Sequence, residues 1–173
     1  MKENNEKVRV CCFVGHRKIK ITSDLVEKLT KTIETLIKEK EINTFYFGSK
    51  SEFDTLCHEV VTTLKEKYPH INRVYVRSAY QYIDEGYRNY LLGSYEDTYF
   101  PSHIANSGKV CHLERNIEMI DRSEVCVFYY DSRYVPPRKD GTPKFNHYQA
   151  KSGTALAFRY AQKKKKNVIN LAH

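Results

Sequence analysis

Apolar residues fall into two alternating rhythms along this chain. Val8-Arg9-Val10-Cys11-Cys12-Phe13-Val14 is a short β-branched and apolar run ending at Gly15, the pattern of a strand buried on both faces. Thr22, Ser23 and Asp24 then offer helix N-caps, with Glu27 three residues beyond Asp24. Leu25, Leu29, Ile33, Leu36 and Ile37 recur at helical spacing and predict a helix to about Lys40. Thr44-Phe45-Tyr46-Phe47 is a second strand ending at Gly48. Ser51 and Asp54 form a capping pair for a helix carrying Phe53, Leu56, Val60 and Leu64, which Pro69 ends. Ile71 to Val76 is a third strand.

Residues 78 to 108 break the rhythm. Tyr80, Tyr82, Tyr87, Tyr90, Tyr95, Tyr99 and Phe100 crowd a stretch without clean periodicity. So long a structureless loop is unusual in a compact domain, so the stretch reads as functional or partly helical. Leu113, Ile117 and Ile120 restore the helical spacing over about Lys109 to Asp121. Val125 to Tyr130 is the most apolar strand and is expected near the centre of the sheet. Residues 131 to 150 form a polar, Pro-containing excursion with Arg133, Arg138, Lys139 and Lys144. A helix over Ala155 to Lys166 and a strand over Val168 to Leu171 close the chain.

Strands alternating with helices predict an α/β fold: an open parallel sheet of about five strands with helices on both faces. The expected order is 3-2-1-4-5, with the switch point between the first and fourth strands. At 173 residues, the chain reads as a single domain over residues 1–173.

Composition narrows the chemistry. No apolar run approaches a membrane span, and the polar start Met1-Lys2-Glu3-Asn4-Asn5-Glu6-Lys7 gives no signal segment, so the expected location is cytoplasmic. The five cysteines lack metal-ligand spacing, and the pairs Cys57-His58 and Cys111-His112 do not supply it. No metal and no cofactor is therefore expected. A net charge of +8 favours anionic partners. Part of that excess, Lys163-Lys164-Lys165-Lys166, sits where cations complement a helix C-terminus.

Three stretches sit at turns where such a sheet converges on one edge: Gly15-His16-Arg17, Gly48-Ser49-Lys50-Ser51 and Ser152-Gly153-Thr154. Small residues there let backbone N–H groups approach a ligand, and a helix N-terminus favours an anion. His16 can donate to a phosphate or move a proton, and Arg17 can clamp a phosphate through two bonds. Ser152 and Thr154 are equally ordinary caps. Asp54 reads either as an acid facing its helix N-terminus or as an acceptor for a ribose or base. Arg115-Asn116 reads either as a solvated helix face or as a pair crossing the pocket, and Asp131 lies opposite Gly15-His16-Arg17 across the crevice. The chain has neither a Walker A lysine pattern nor a GxGxxG run, so neither an ATPase nor a standard NAD domain is supported.

Cys11-Cys12-Phe13-Val14-Gly15-His16-Arg17 resembles the opening of stand-alone YpsA-type members of the SLOG superfamily. Gly48 to Asp54 resembles their second glycine loop, Glu114-Arg115-Asn116 with Met119-Ile120-Asp121 their Arg-Asn helix, and Lys151 to Ala155 with Tyr160-Ala161 their last small-residue loop and helix. The resemblance implies a Rossmann-like domain that binds nucleotides or nucleotide-derived ligands, often as a homo-oligomer. The superfamily also holds LOG phosphoribohydrolases, DprA-type single-strand DNA binders and sensors of anti-phage signalling that recognise molecules made from NAD. LOG enzymes carry a catalytic Glu three residues beyond the Thr of their motif; here that position is Ala157.

Three functions follow as expectations. The favoured one is a binding module or sensor for a phosphate-bearing, nucleotide-like small molecule. A second is an N-glycosidic hydrolase or transferase, for which Glu52, Asp54, Glu114, Glu118 and Asp131 are the carboxylates to hand. A third is a single-stranded nucleic-acid binder that stacks bases on tyrosines.

Overall fold

A computed structural model describes residues 6–135 and 152–173. Its strands are β1 (Val10–Gly15), β2 (Thr44–Phe47), β3 (Asn72–Val76), β4 (Asp97–Tyr99), β5 (Val125–Tyr129) and β6 (Asn167–Asn170). Its helices are α1 (Ser23–Lys40), α2 (Glu52–Lys67), α3 (Glu85–Leu92), α4 (Lys109–Arg122) and α5 (Gly153–Lys163). All strand pairings are parallel, in the order β4-β3-β2-β1-β5-β6. This is an open α/β sheet of the Rossmann-like kind.

Five of these strands are those the apolar runs predict, in the predicted order. The sixth, β4, corrects the expectation of about five. It is three residues long, too short to show a period, and it pairs Val74 with Asp97 and Val76 with Tyr99 at the edge of the sheet. The tyrosine-rich stretch thus holds both a helix, α3, capped by Asp84 accepting from the Tyr87 N–H, and this strand. β5 lies inside the sheet, one strand in from its edge. Residues 136–151 of the basic excursion, with Arg138, Lys139 and Lys144, lie outside the described residues.

Alternation along the strands divides the core in two. Cys11 and Phe13 of β1 face α1 and α2, packing with Leu29, Ile33, Phe53 and Val61. Val10, Cys12 and Val14 face the other way, against Met119 and Ile120 of α4 and Ala157 and Ala161 of α5. Each fully buried large side chain here contributes roughly 1.5–3 kcal/mol over its exposed state. The chain fills the sheet outward from β1 in one direction, then crosses to β5 and fills the other, which moves its helices to the opposite face. At that reversal the two chain directions leave a crevice beyond the carboxyl ends of β1 and β5, which stay paired through Gly15 and Tyr129.

The lysine run of the last helix is partly structural. Lys166 donates to the carbonyls of Asp121 and Ser123 at 3.0 and 3.1 Å, and the Lys164 ammonium lies over the Tyr160 ring, 5.6 Å from its centroid.

Candidate functional site

A cleft of about 1090 Å³ opens at the carboxyl ends of the strands. Eleven of the thirteen sequence-chosen residues line it: Gly15, His16, Arg17, Gly48, Ser49, Lys50, Arg115, Asn116, Ser152, Gly153 and Thr154. Asp54 and Asp131 do not. His16 and Thr154, far apart in sequence, stand on the same cleft.

Six cations line it: Arg17, Lys18, Lys50, Arg77, Lys109 and Arg115. No carboxylate lines it among the described residues. Lys18 is the one of the six with a salt-bridge partner among the described residues, Glu52 at 2.8 Å. Tyr75, Tyr80, Tyr87 and Tyr134 add aromatic surface. A concentration of positive charge between low-dielectric walls attracts anions.

The glycines divide by role. A Cβ at Gly15 would lie 2.3 Å from Phe53 Cδ1, so this glycine makes room for the core rather than for a ligand. A Cβ at Gly48 would lie 2.6 Å from Arg115 Cδ and 2.9 Å from the Val76 carbonyl oxygen, so Gly48 lets the arginine cross beneath its loop. Gly153 has nothing within 4 Å of its would-be Cβ and is the one of the three that faces open space.

The serines of the loops serve mainly the chain itself. Ser51 caps α2 by accepting from the Asp54 N–H at 3.0 Å, and Ser49 Oγ lies 2.8 Å from Ser51 Oγ. Ser152 caps α5, accepting from the Ala155 N–H at 3.1 Å. The backbone therefore turns here because these hydroxyls hold the helix starts, which leaves the N–H groups of the first turns near the cleft.

His16 lines the cleft and is also tied into the fold. Its Nε2 lies 2.9 Å from the Asp131 amide nitrogen and 3.2 Å from the Asp131 carbonyl oxygen, which ties the ring to the backbone of residue 131. The ring is buried and stacks on Tyr134, with centroids 3.9 Å apart. Burial lowers its pKa, so at neutral pH it is an uncharged brace between the ends of β1 and β5. Asp131 takes part through its backbone, while its carboxylate accepts from Arg133.

Arg115 is the centre of the cleft floor and is only 4 % exposed. It donates to the Gly48 carbonyl, to Ser78 Oγ at 3.3 Å and to Asn116 Oδ1 at 3.1 and 3.3 Å. Of the two readings of Arg115-Asn116, the solvated face is excluded. Behind it Asp54 is buried, with one carboxylate oxygen, Oδ1, lacking any hydrogen-bond partner among the described residues. Burial pushes its pKa up to about 7, against the opposing pull of Arg115 and the Gly48 and Ser49 N–H groups. An acid raised in the folded state adds most stability below its unfolded pKa and loses it as pH climbs toward the folded value. Between pH 5 and 7 that loss is about 2 kcal/mol, scaled down from one proton per pH step. Asp54→Asn should therefore flatten the fall in melting temperature across this window. An unchanged pH profile in the variant would exclude Asp54 as its source.

Several lining residues were not singled out from the sequence, Arg77, Ser78, Tyr75, Lys109 and Tyr134, and His112 was weighed there only as a metal ligand. Arg77 and Ser78 follow β3 directly, as His16 and Arg17 follow β1, and that equivalence was the available signal. Arg77 donates to the Tyr80 carbonyl at 2.7 Å and holds Tyr80 at φ 61, a left-handed conformation that costs a non-glycine residue energy. His112 Nδ1 lies 2.7 Å from Ser78 Oγ. Burial, then Arg115 and Arg17, lower the His112 pKa.

The five candidate carboxylates all lie off the cleft. Besides Asp54 and Asp131, Glu52 holds Lys18 and the Ile19 N–H, Glu114 accepts from Asn106, and Glu118 accepts from Arg122 and from Tyr99. Ala157 is fully buried against the sheet. The described residues contain no cluster of three metal-ligating side chains, and no helix among them is long and apolar enough to cross a membrane.

Among solved structures the chain is similar to DNA processing protein A from Helicobacter pylori, a protein with a single-stranded DNA binding mode. The two are 15 % identical, with a TM-score of 0.54, over 92 % of this chain and 63 % of that one. The chain thus spans less than two thirds of that protein's length, and at this identity the likeness speaks for the fold alone. No family model matches the sequence, and no curated protein does.

Proposed function

We propose that the cleft binds a phosphate-bearing nucleotide or nucleotide-derived small molecule, possession of which makes this chain a sensor or binding module. The carrying observation is the composition of the cleft: six cations, four tyrosines and no carboxylate among the described residues, at the switch point of a parallel sheet. Phosphate oxygens would accept charge-assisted hydrogen bonds from Arg17 and Lys50, and a base would lie against a tyrosine ring. The sequence resemblance to the YpsA-like SLOG proteins supports the same ligand class, and assembly into a homo-oligomer belongs with that resemblance. The absence of a carboxylate from the described cleft wall disfavours N-glycosidic cleavage, which needs one beside the anomeric carbon.

A thermal-shift panel of nucleotides and dinucleotides tests the proposal, since a ligand of the folded state raises its melting temperature. Arg17 is exposed, so Arg17→Ala should leave the unliganded melting temperature unchanged while weakening binding about tenfold or more. Binding equal to the wild type would remove Arg17 from the site, and no shift with any nucleotide would overturn the proposal.

Exposed aromatics support a second reading, a single-stranded nucleic acid. Tyr80, Tyr82 and Tyr90 are 75 %, 88 % and 75 % exposed, and Tyr80 also lines the cleft. Such rings make stacking platforms for bases, and the structural neighbour is a single-stranded DNA binder. Oligonucleotide binding that weakens steeply with salt, without a nucleotide shift, would favour it.

A further inference from the structure

We infer that Ser78 and His112 form a nucleophile and base pair, and that the cleft hydrolyses a phosphodiester bond in the ligand it binds. The inference rests on the reading that the cleft takes a phosphate-bearing molecule. Ser78 is the second residue past β3, at the carboxyl edge where α/β sheets place their chemistry, and its hydroxyl oxygen lies 2.7 Å from His112 Nδ1. Arg115 donates to the same oxygen at 3.3 Å. Because the guanidinium can only donate, that contact uses a lone pair of Oγ, and the hydroxyl proton is directed at Nδ1. The serine is thus aligned with its base on one side and polarised by a buried cation on the other, the arrangement that activates a hydroxyl nucleophile.

The other cleft serines differ in this respect. Ser49, Ser51 and Ser152 spend their hydroxyls on helix starts and on each other, whereas Ser78 faces a titratable base. Burial first, then Arg115 on its own helix and Arg17 from the loop after β1, lower the His112 pKa, so the imidazole stands unprotonated at neutral pH with Nδ1 free to take the hydroxyl proton. The neighbouring Cys111 Sγ lies 3.9 Å from Nδ1 but donates to the Gly108 carbonyl at 2.9 Å, so it does not take the base's place.

The step balances without any further reactant than water. Ser78 Oγ attacks phosphorus and forms an Oγ–P bond as the bond from phosphorus to the leaving alkoxide breaks. The hydroxyl proton passes to His112 Nδ1 and from there to the alkoxide, which departs as an alcohol. Water then attacks the phosphoseryl group, giving its proton to His112, and Ser78 Oγ leaves with that proton as the serine is restored. Negative charge gathering on the phosphoryl oxygens faces Arg17, Lys50 and Arg115.

The test uses the whole chain with bis(4-nitrophenyl) phosphate as chromogenic probe, alongside the nucleotide thermal-shift panel. The wild type should release nitrophenolate, and Ser78→Ala and His112→Gln should each lose about a hundredfold or more of that rate. The rate should rise with pH along a limb whose midpoint lies below 6.5, the ordinary histidine value, and His112→Gln should abolish that limb. Intact-mass measurement after acid quench should show one added phosphoryl ester on the wild type and none on Ser78→Ala. Melting curves check that each variant is folded, and Ser78→Cys, which keeps the volume and a nucleophile, provides a second probe if alanine fails to fold. Nucleotide binding with no turnover above the Ser78→Ala level overturns this inference and leaves the binding proposal standing. Neither binding nor turnover overturns both.

Discussion

Arg115→Leu is expected to cost about 3 kcal/mol of stability and to abolish nucleotide binding. The arginine is nearly enclosed, and burial already disfavours its charge. Four hydrogen bonds tie it to Gly48, Ser78 and Asn116, so leucine leaves a buried carbonyl and a hydroxyl without their donor. It also removes the cation that opposes the rise in the Asp54 pKa, so Asp54 should bind its proton more tightly and the pH-dependent loss of stability should move to higher pH. Arg115→Lys should recover little, because a single ammonium cannot reproduce a planar fork across three partners. Chemical denaturation with and without a saturating nucleotide separates the two effects. A Leu variant as stable as the wild type would show that Arg115 is no keystone of the floor; one that binds normally would take it out of the site.

Arg115 also shows where reading the sequence reached its limit. Its place beside Ile117 fits a helix period, and that period says which face turns inward but not whether an arginine on it is solvated. The answer lies in Gly48, sixty-seven positions away, whose missing side chain leaves the channel that the guanidinium occupies. The strands were legible because parallel strands buried on both faces are written as unbroken apolar runs, as in Val10 to Val14 and Val125 to Phe128. β4 was not, since three residues carry no period and its pairing comes from β3.

The site was legible where it followed the strand ends and illegible where it depended on partners. Gly15, Gly48 and Gly153 all lie at the carboxyl edge, yet Gly15 answers to Phe53 of the core and Gly48 to the Arg115 side chain. His16 reads locally as a donor to a phosphate or a proton carrier, but its Nε2 is held by the backbone of Asp131, two residues past β5, which no local pattern announces. Ser78 and His112 are thirty-four positions apart and are joined only once β3 and α4 pack on the same edge. Cap residues were the reverse case: Ser51 and Ser152 sit where spacing alone assigns them, because a cap is a contact over three residues.

Gly15→Ala is expected to destabilise the fold by about 3 kcal/mol, at the upper end of the cost of overpacking a core. The added methyl would lie 2.3, 2.5 and 2.6 Å from Cδ1, Cγ and Cβ of Phe53, a side chain with no exposed surface. Cβ cannot rotate away, so relief requires the first turn of α2 to shift, together with the Ser51 cap and the loop from Gly48 that α2 anchors. For a chain of this size the melting temperature should fall by about 10 °C. Gly153→Ala is the matched control, because its methyl enters open space on the first residue of α5 and meets no atom within 4 Å. That variant should melt no lower than the wild type, since alanine restricts the unfolded chain and suits a helix. Gly153→Val should keep the fold and still weaken nucleotide binding, as its bulk fills the cleft wall. Equal melting of Gly15→Ala and the wild type would mean that Phe53 packs elsewhere in solution, and wild-type affinity in Gly153→Val would remove the start of α5 from the ligand's path.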